Sequence, residues 1–267
     1  DAAGTGAPVG ISPEPATARG FRWSEPTWLD DDWLVCVRES HEPDVIAIHG
    51  EAMNEVVALP LDGSAVDDPS RVRVLATGPD FVHSPAVHGD RLTWIQWDHP
   101  RMPWDGTELV LAEIVRDETG VPTGLSNERM VAGGPTESIV QPGFLADGTV
   151  VFCTDRTGWW NPWRLRADGE VEPVIEGGGI EGEIGGALWV GGLRWWTEIE
   201  PNHLVVSLTR DGADTLAVID PDGRLRELET SFSEIGQVVA GGNEKIHDVL
   251  VVAGTAITEA APYGIEV

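Results

Sequence analysis

Short apolar runs rich in β-branched residues, closed again and again by Asp-Gly dipeptides, constrain this chain more than any other feature. The runs are WLVCVRE (33–39), RLTWIQW (91–97), TVVFCTD (149–155), NHLVVSLT (202–209) and DVLVVAG (248–254). Each has the length of a strand and none shows apolar spacing of three and four residues, so the sequence predicts an all-β fold. Asp-Gly pairs at 62–63, 105–106, 147–148, 168–169, 211–212 and 222–223 supply the positive φ that tight hairpins need.

The runs align into units of roughly 45–58 residues, near the length of one four-stranded propeller blade. A unit has an opening strand that carries proline in EPTWL, HSPAV and VQPGF, then a central strand, a loop, and a strand ending at a turn. About five units are expected, starting near residues 20, 72, 128, 171 and 224, with the last degenerate. The loop-rich stretches 1–20 and 177–192 do not separate halves of different composition. A single β-propeller domain or fragment with TolB-like repeats is therefore expected over 1–267.

Charge and composition exclude several partners. Lys and Arg number 17 against 45 Asp and Glu, a formal charge of -28. Affinity for a phosphate backbone rests on basic residues, so nucleic acid and anionic membranes are not expected partners. No apolar run reaches the roughly 18 residues of a membrane-spanning helix, and DAAGTGAPVG has neither the charged start nor the apolar middle of a signal peptide. Cys36 and Cys153 lie inside strand-like runs, which points to buried thiols and a reducing, cytoplasmic setting. The histidines are dispersed, and neither His-Glu-x-x-His nor Cys-x-x-Cys occurs, so no metal or other cofactor is expected. The Gly-x-Ser-x-Gly elbow of an esterase-type nucleophile is absent as well.

Two segments concentrate polar and aromatic chemistry. In TDRTGWWNPWRL (154–165), Thr154 and Asp155 end a strand, Arg156-Thr157-Gly158 suits a tight turn, and a return strand follows. Asp155 can accept backbone N–H groups or pair with Arg, while the tryptophans cover the space between blades. A sialidase-type Asp box needs Asp and Gly two apart, whereas Asp155 and Gly158 are three apart. In WIQWDHPRMPWDGTEL (94–109), Asp98, His99, Arg101, Trp104, Asp105 and Glu108 crowd one connection between strands, the kind of place where function collects.

The segments VCVRESHEP, RVRVLATGPDFVHSPAVHGDRLTWIQWDHPRMPWDGTEL, VAGGPTESIVQPGFLADGTVVFCTDRTGWWNPWRL and GGALWVGGLRWW together resemble one peptidase propeller. The chain is similar, from about Ile11 to Val267, to the N-terminal β-propeller of bacterial prolyl oligopeptidase-family serine peptidases, the dipeptidyl aminopeptidase/acylaminoacyl peptidase branch. The resemblance implies a cap over an α/β-hydrolase domain bearing Ser, Asp and His, with the propeller restricting entry to short or unstructured peptides. That hydrolase domain and the family's earlier blades are expected to lie outside these residues, so no catalytic residue is assigned here. Peptide substrates and the hydrolase domain of the same parent protein are the partners it implies.

Carried across by motif, Glu39, His41, Asp98, His99, Trp104, Glu137, Gln141, Asp155 and Trp159 become candidates for contact with substrate or with the hydrolase domain. Glu137 or Glu39 is the carboxylate expected to bind a substrate's amino terminus. A stand-alone TolB-like scaffold that binds a protein partner through its acidic face is the alternative, and a five-bladed glycosidase fits the blade count but not the loop spacing.

Overall fold

The computed structural model describes residues 7–241, 248–255 and 258–267. It divides into two compact units, one comprising the chain up to Asp98 with Leu111–Arg129, the other His99–Val110 with Met130–Val267. In the first unit, β1 (Phe21–Trp28), β2 (Trp33–Ser40), β3 (Met53–Pro60) and β4 (Arg73–Ala76) form one antiparallel meander. A second meander follows through β5 (Phe81–His88), β6 (Arg91–Trp97), β7 (Glu108–Arg116) and β8 (Pro122–Gly133). The second unit holds β9 (Ile139–Phe144), β10 (Val150–Thr154), β11 (Asn161–Leu165) and β12 (Val171–Pro173) in one sheet. Its next sheet is β13 (Trp196–Glu200), β14 (His203–Arg210), β15 (Ala213–Ile219) and β16 (Leu225–Glu227), and three strands close the series, β17 (Glu234–Ala240), β18 (Asp248–Thr255) and β19 (Thr258–Glu266).

This is the all-β, propeller-type fold expected, with two corrections. Sheets after the first open at Phe81, Ile139, Trp196 and Glu234, later than the starts near 72, 128, 171 and 224. The reason is that β4, β8, β12 and β16 occupy those positions as the fourth strands of the preceding sheets. Three of these outer strands have only three or four residues, too few to show a period in the sequence. The second correction is a helix, α1 (Pro43–His49), inside HEPDVIAIHG. Proline starts it, Asp44 sits in its first turn, and Gly50 ends it at φ 83° with its N–H donating to the Ile46 carbonyl.

Most of the Asp-Gly signals mark turns with glycine at positive φ, but Gly106 is not among them: Asp105-Gly106 lies in the long loop after β6, where Gly106 is needed for a close backbone approach. Asp211 and Gly212 have φ of 50° and 78°, both positive as a two-residue type I′ hairpin requires, and they join Arg210 to Ala213. At 145–149, the Gly148 N–H donates to the Leu145 carbonyl and Leu145 N–H to Thr149, with Gly148 at φ 84°.

The proline-bearing openings have a common backbone irregularity. Glu25, Ser84 and Gln141 each precede a proline, each has positive φ (55°, 51° and 43°), and each sits at a break in strand register. Proline disfavours the right-handed helical region at the residue before it, and a bulge there re-aims that residue's side chain. In the first unit, Glu25 reaches β5 and accepts the Ser84 N–H at 2.8 Å. In the second, Gln141 reaches β13: its amide donates to the Trp196 carbonyl at 2.7 Å and accepts from the Trp195 and Trp196 N–H groups. The Trp196 indole answers by donating to the Gln141 carbonyl at 3.1 Å.

Apolar side chains on the faces between sheets form the cores. Cys36, Val57, Leu59, Ala65 and Val72 pack in the first unit. In the second, Val140, Val151, Cys153, Ile184, Trp196, Leu204 and Val206 belong to one cluster, and Val205, Leu216, Ile235, Val249 and Val251 to another.

Candidate functional site

Because every sheet is a meander, its two ends differ. One end carries the turns from first to second strand and from third to fourth, and these include the short segments 89–90, 117–121, 145–149, 166–170 and 220–224. The other end carries second-to-third loops and links to the next sheet, including the long segments 41–52, 98–107 and 174–195. All the candidates except Gln141 lie at this second, loop-bearing end of their own sheets. Gln141 is buried within β9 with its amide fully engaged by the β13 backbone, so its visible role is to join two sheets.

In the first unit, Glu39 and His41 meet: Glu39 Oε1 is 2.9 Å from His41 Nε2, and Oε2 accepts from Arg22 Nη1 at 3.2 Å. Asp98 caps the start of β5 by accepting the Asp80 N–H at 2.9 Å. These residues form small separate groups. His99 begins the second unit, exposed and joined to Pro100 by a cis peptide bond.

The second unit brings Glu137, Asp155, Trp159 and Trp104 into one neighbourhood, organised by the buried Ser138. Ser138 N–H donates to Asp155 Oδ1 at 2.7 Å, and its hydroxyl donates to the Pro103 carbonyl at 2.7 Å. The same hydroxyl accepts from Trp160 Nε1 at 3.2 Å. Three loops are thereby tied together, 98–107, 134–138 and 155–160. Gly106 allows loops 98–107 and 134–138 to approach, since a Cβ there would lie 2.6 Å from the Pro135 carbonyl carbon.

Glu137 receives Thr154 Oγ1 at 2.7 Å, Arg156 Nε at 2.9 Å and Arg156 Nη2 at 2.7 Å, all on Oε1. Its other oxygen has no hydrogen-bond donor among the described residues. Arg156 also lies over the Trp163 ring, 4.5 Å from the centroid. Gly158, at φ 94°, closes the turn by donating to the Asp155 carbonyl at 2.7 Å. Behind the turn, Glu183 accepts the Trp160 N–H at 2.7 Å.

Electrostatics follow from this crowding. Burial pushes the Asp155 carboxyl above its ordinary value, the neighbouring Glu137 charge adds to the rise, and the Ser138 N–H opposes it. Burial likewise raises Glu183, with the Asp155 charge in support and the Trp160 N–H opposed. Arg156 pairs with Glu137 alone, while Asp155 feels the Glu137 charge and Glu183 the Asp155 charge, so the local potential is negative.

Sequence reasoning missed Glu183 and Trp189, because the segment 177–192 reads as loop by composition. Its length was the available signal, since long connections without secondary structure are commonly functional. Trp189 is 74% exposed, and its ring contacts Trp104 with centroids 4.6 Å apart at 46°.

Ser138 and both free cysteines are buried, with the Ser138 hydroxyl committed, the Cys36 thiol pushed up to about 12 and Cys153 higher still. Among the described residues no group of three or more His, Cys, Asp or Glu is placed to hold a metal ion. No helix among them is long and apolar enough to cross a membrane.

No family model and no curated protein matches the chain. Solved structures do, and they define its class: the chain is a β-propeller that matches the propeller regions of puromycin hydrolase and prolyl oligopeptidase B. In particular it is similar to puromycin hydrolase, at 31% identity over 97% of this chain with a TM-score of 0.83. A puromycin-hydrolyzing peptidase of Mycobacterium tuberculosis matches at 29% identity over 96% of the chain, TM-score 0.82. Prolyl oligopeptidase B from Galerina marginata shares the fold, at 13% identity over 92% of the chain and a TM-score of 0.65. The chain spans 38% of the length of the first two proteins and 33% of the third.

Proposed function

We propose that this propeller gates and selects peptide substrates for a serine peptidase of the dipeptidyl aminopeptidase/acylaminoacyl peptidase type, whose hydrolase domain these residues do not include. The observation that carries the reading is the 31% identity to puromycin hydrolase over 97% of the chain, which itself spans 38% of that enzyme. The geometry agrees, since all the candidate contact residues but Gln141 collect at the loop-bearing ends of their sheets.

In this reading the loop-bearing end faces the hydrolase domain and the peptide. Glu137 receives the substrate's amino terminus on its unfilled oxygen, while Arg156 holds the carboxylate in place from the other oxygen. Asp155 and Glu183 add to the local negative potential. Two buried free thiols are at home in a reducing, cytoplasmic compartment.

The test compares the isolated chain with the full-length parent protein. The parent should label with a serine-directed fluorophosphonate and cleave short peptides, and the isolated chain should do neither. Peptide hydrolysis by the isolated chain, or a parent that does not label, overturns the reading.

A further inference from the structure

We infer that Asp211-Gly212, the tip of the β14–β15 hairpin, is a self-modification site: the Gly212 nitrogen closes on the Asp211 side-chain carboxyl, and the ring so formed reopens to isoaspartate. The modified tip presents a free main-chain carboxylate, the group that an isoaspartyl-directed methyltransferase esterifies.

Six Asp-Gly pairs share the same sequence chemistry, and their surroundings separate them. In five the carboxylate is held. Asp62 accepts the Ser64 N–H at 2.8 Å, Asp105 the Met102 N–H at 2.9 Å, Asp147 the Thr149 N–H at 2.8 Å and Asp168 the Glu170 N–H at 3.2 Å. Asp222 pairs with Arg224 at 2.9 Å. In four of these pairs the glycine N–H is engaged as well: Gly106 donates to the Met102 carbonyl, Gly148 to Leu145, Gly169 to Arg166 and Gly223 to Asp220. The Asp211 carboxylate and the Gly212 N–H have no partner among the described residues. Both residues are exposed, and a Cβ on Gly212 would meet nothing within 4 Å, so the tip has room to turn. Of the six pairs, only this one leaves both reacting atoms uncommitted.

Water is the only other reactant. The Gly212 nitrogen attacks Asp211 Cγ of the protonated carboxyl, and the amide proton and the carboxyl hydroxyl leave together as water, giving a cyclic imide. Water then opens the ring at either carbonyl. Opening at Cγ restores aspartate; opening at the main-chain carbonyl routes the backbone through Cβ and Cγ, with the mass of the chain unchanged. That rerouting lengthens a type I′ turn whose two positive φ values match the twist of its strands. The strand ends beside the tip hold a distant segment. Thr209 and Glu183 exchange main-chain hydrogen bonds at 2.9 and 3.0 Å, and Arg210 Nε donates to the Glu181 carbonyl at 3.0 Å. Modification of the tip therefore loosens residues 181–183, and with them the contact of Glu183 to the Trp160 N–H.

The experiment stores the full chain in warm neutral buffer and then maps isoaspartate peptide by peptide, using an isoaspartyl methyltransferase with labelled S-adenosylmethionine. The Asp211 peptide should accumulate about tenfold more isoaspartate than any of the other five, a factor set by the one or two hydrogen bonds those pairs must first break. Asp211→Asn reaches the same ring by losing ammonia and should accelerate the accumulation. Asp211→Glu cannot close that ring and should abolish it. In the stored wild-type chain, hydrogen exchange at the Glu183 and Thr209 amides should quicken while that at Gly148 stays as in fresh protein, and stored Asp211→Glu should show no such change. Isoaspartate spread evenly over the six pairs, concentrated at another pair, or absent from Asp211 overturns the inference. So does an Asn variant that accumulates no faster than wild type. Isoaspartate at Asp211 with unchanged exchange at Glu183 confirms the site and overturns its coupling to residues 181–183.

Discussion

Asp117 and Asp155 are the same residue type at differing ends of their sheets, and their carboxyl groups are shifted in opposite directions. Asp117, in the turn after β7, accepts from the Thr119 hydroxyl at 2.6 Å, from Thr119 N–H at 2.8 Å and from Val121 N–H at 3.1 Å. The Thr119 hydroxyl, followed by these backbone donors, holds its pKa below the ordinary value of 3.8. Asp62 behaves the same way with Ser64. Asp155, in the loop after β10, reaches back 17 residues to Ser138 and is raised because burial outweighs that one donor. Asp117 and Asp62 are satisfied by donors of their own turns. Asp155 instead ties two segments 17 residues apart.

The sharpest way to break this contrast is to show that the loop-bearing end is loosely built. Trp160→Ala should destabilise by about 2–3 kcal/mol, since the ring packs on Gly185 and Val140 and its loss leaves Ser138 without a donor. Thermal or urea unfolding measures it, and a change near zero would mean that the three-loop tie bears little.

Two isosteric substitutions then test the opposed shifts. A raised carboxyl makes the folded state bind protons more readily than the unfolded state, so Asp155 costs stability as pH rises from about 4 toward 7. Asp155→Asn still accepts from Ser138, so its stability relative to wild type should improve over that rise. For Asp117 the sign reverses: the lowered carboxyl contributes stability above its ordinary value of 3.8, lost as pH falls through the lowered one. Asp117→Asn should therefore be less stable than wild type at pH 7, the difference closing in acid. Unfolding curves at several pH values measure both slopes, and parallel slopes for the two variants would erase the contrast.

The smallest expected effect is that of Trp159→Ala. The ring is 40% exposed, so stability should change by about 0.5 kcal/mol or less. A large loss on unfolding would move Trp159 from the recognition surface into the framework.

How far the sequence carries depends on the range of the interaction. The hairpin turns were legible because Asp-Gly encodes them within four residues. The tight turn at Arg156-Thr157-Gly158 was legible for the same reason. The prolines of EPTWL, HSPAV and VQPGF marked where first strands run, yet nothing local revealed that Glu25, Ser84 and Gln141 adopt positive φ just before them. The short outer strands β4, β12 and β16 were misassigned to following units for want of any period. Glu137 and Asp155 were found through a motif resemblance. Glu183 and Trp189 were not, because their partners Trp160 and Trp104 lie 23 and 85 residues away and only the folded chain brings them together.

The Gln141 clasp also sets what a hydrogen-exchange experiment would report. Amide protons in β14 and β15 are held by neighbouring strands of their own sheet and are released when that sheet opens. The Trp195 and Trp196 amide protons are held by a side chain from β9, so they exchange when two sheets part even if each stays intact. These two amides are therefore native spectroscopic reporters of breathing between adjacent sheets, readable without any label or substitution.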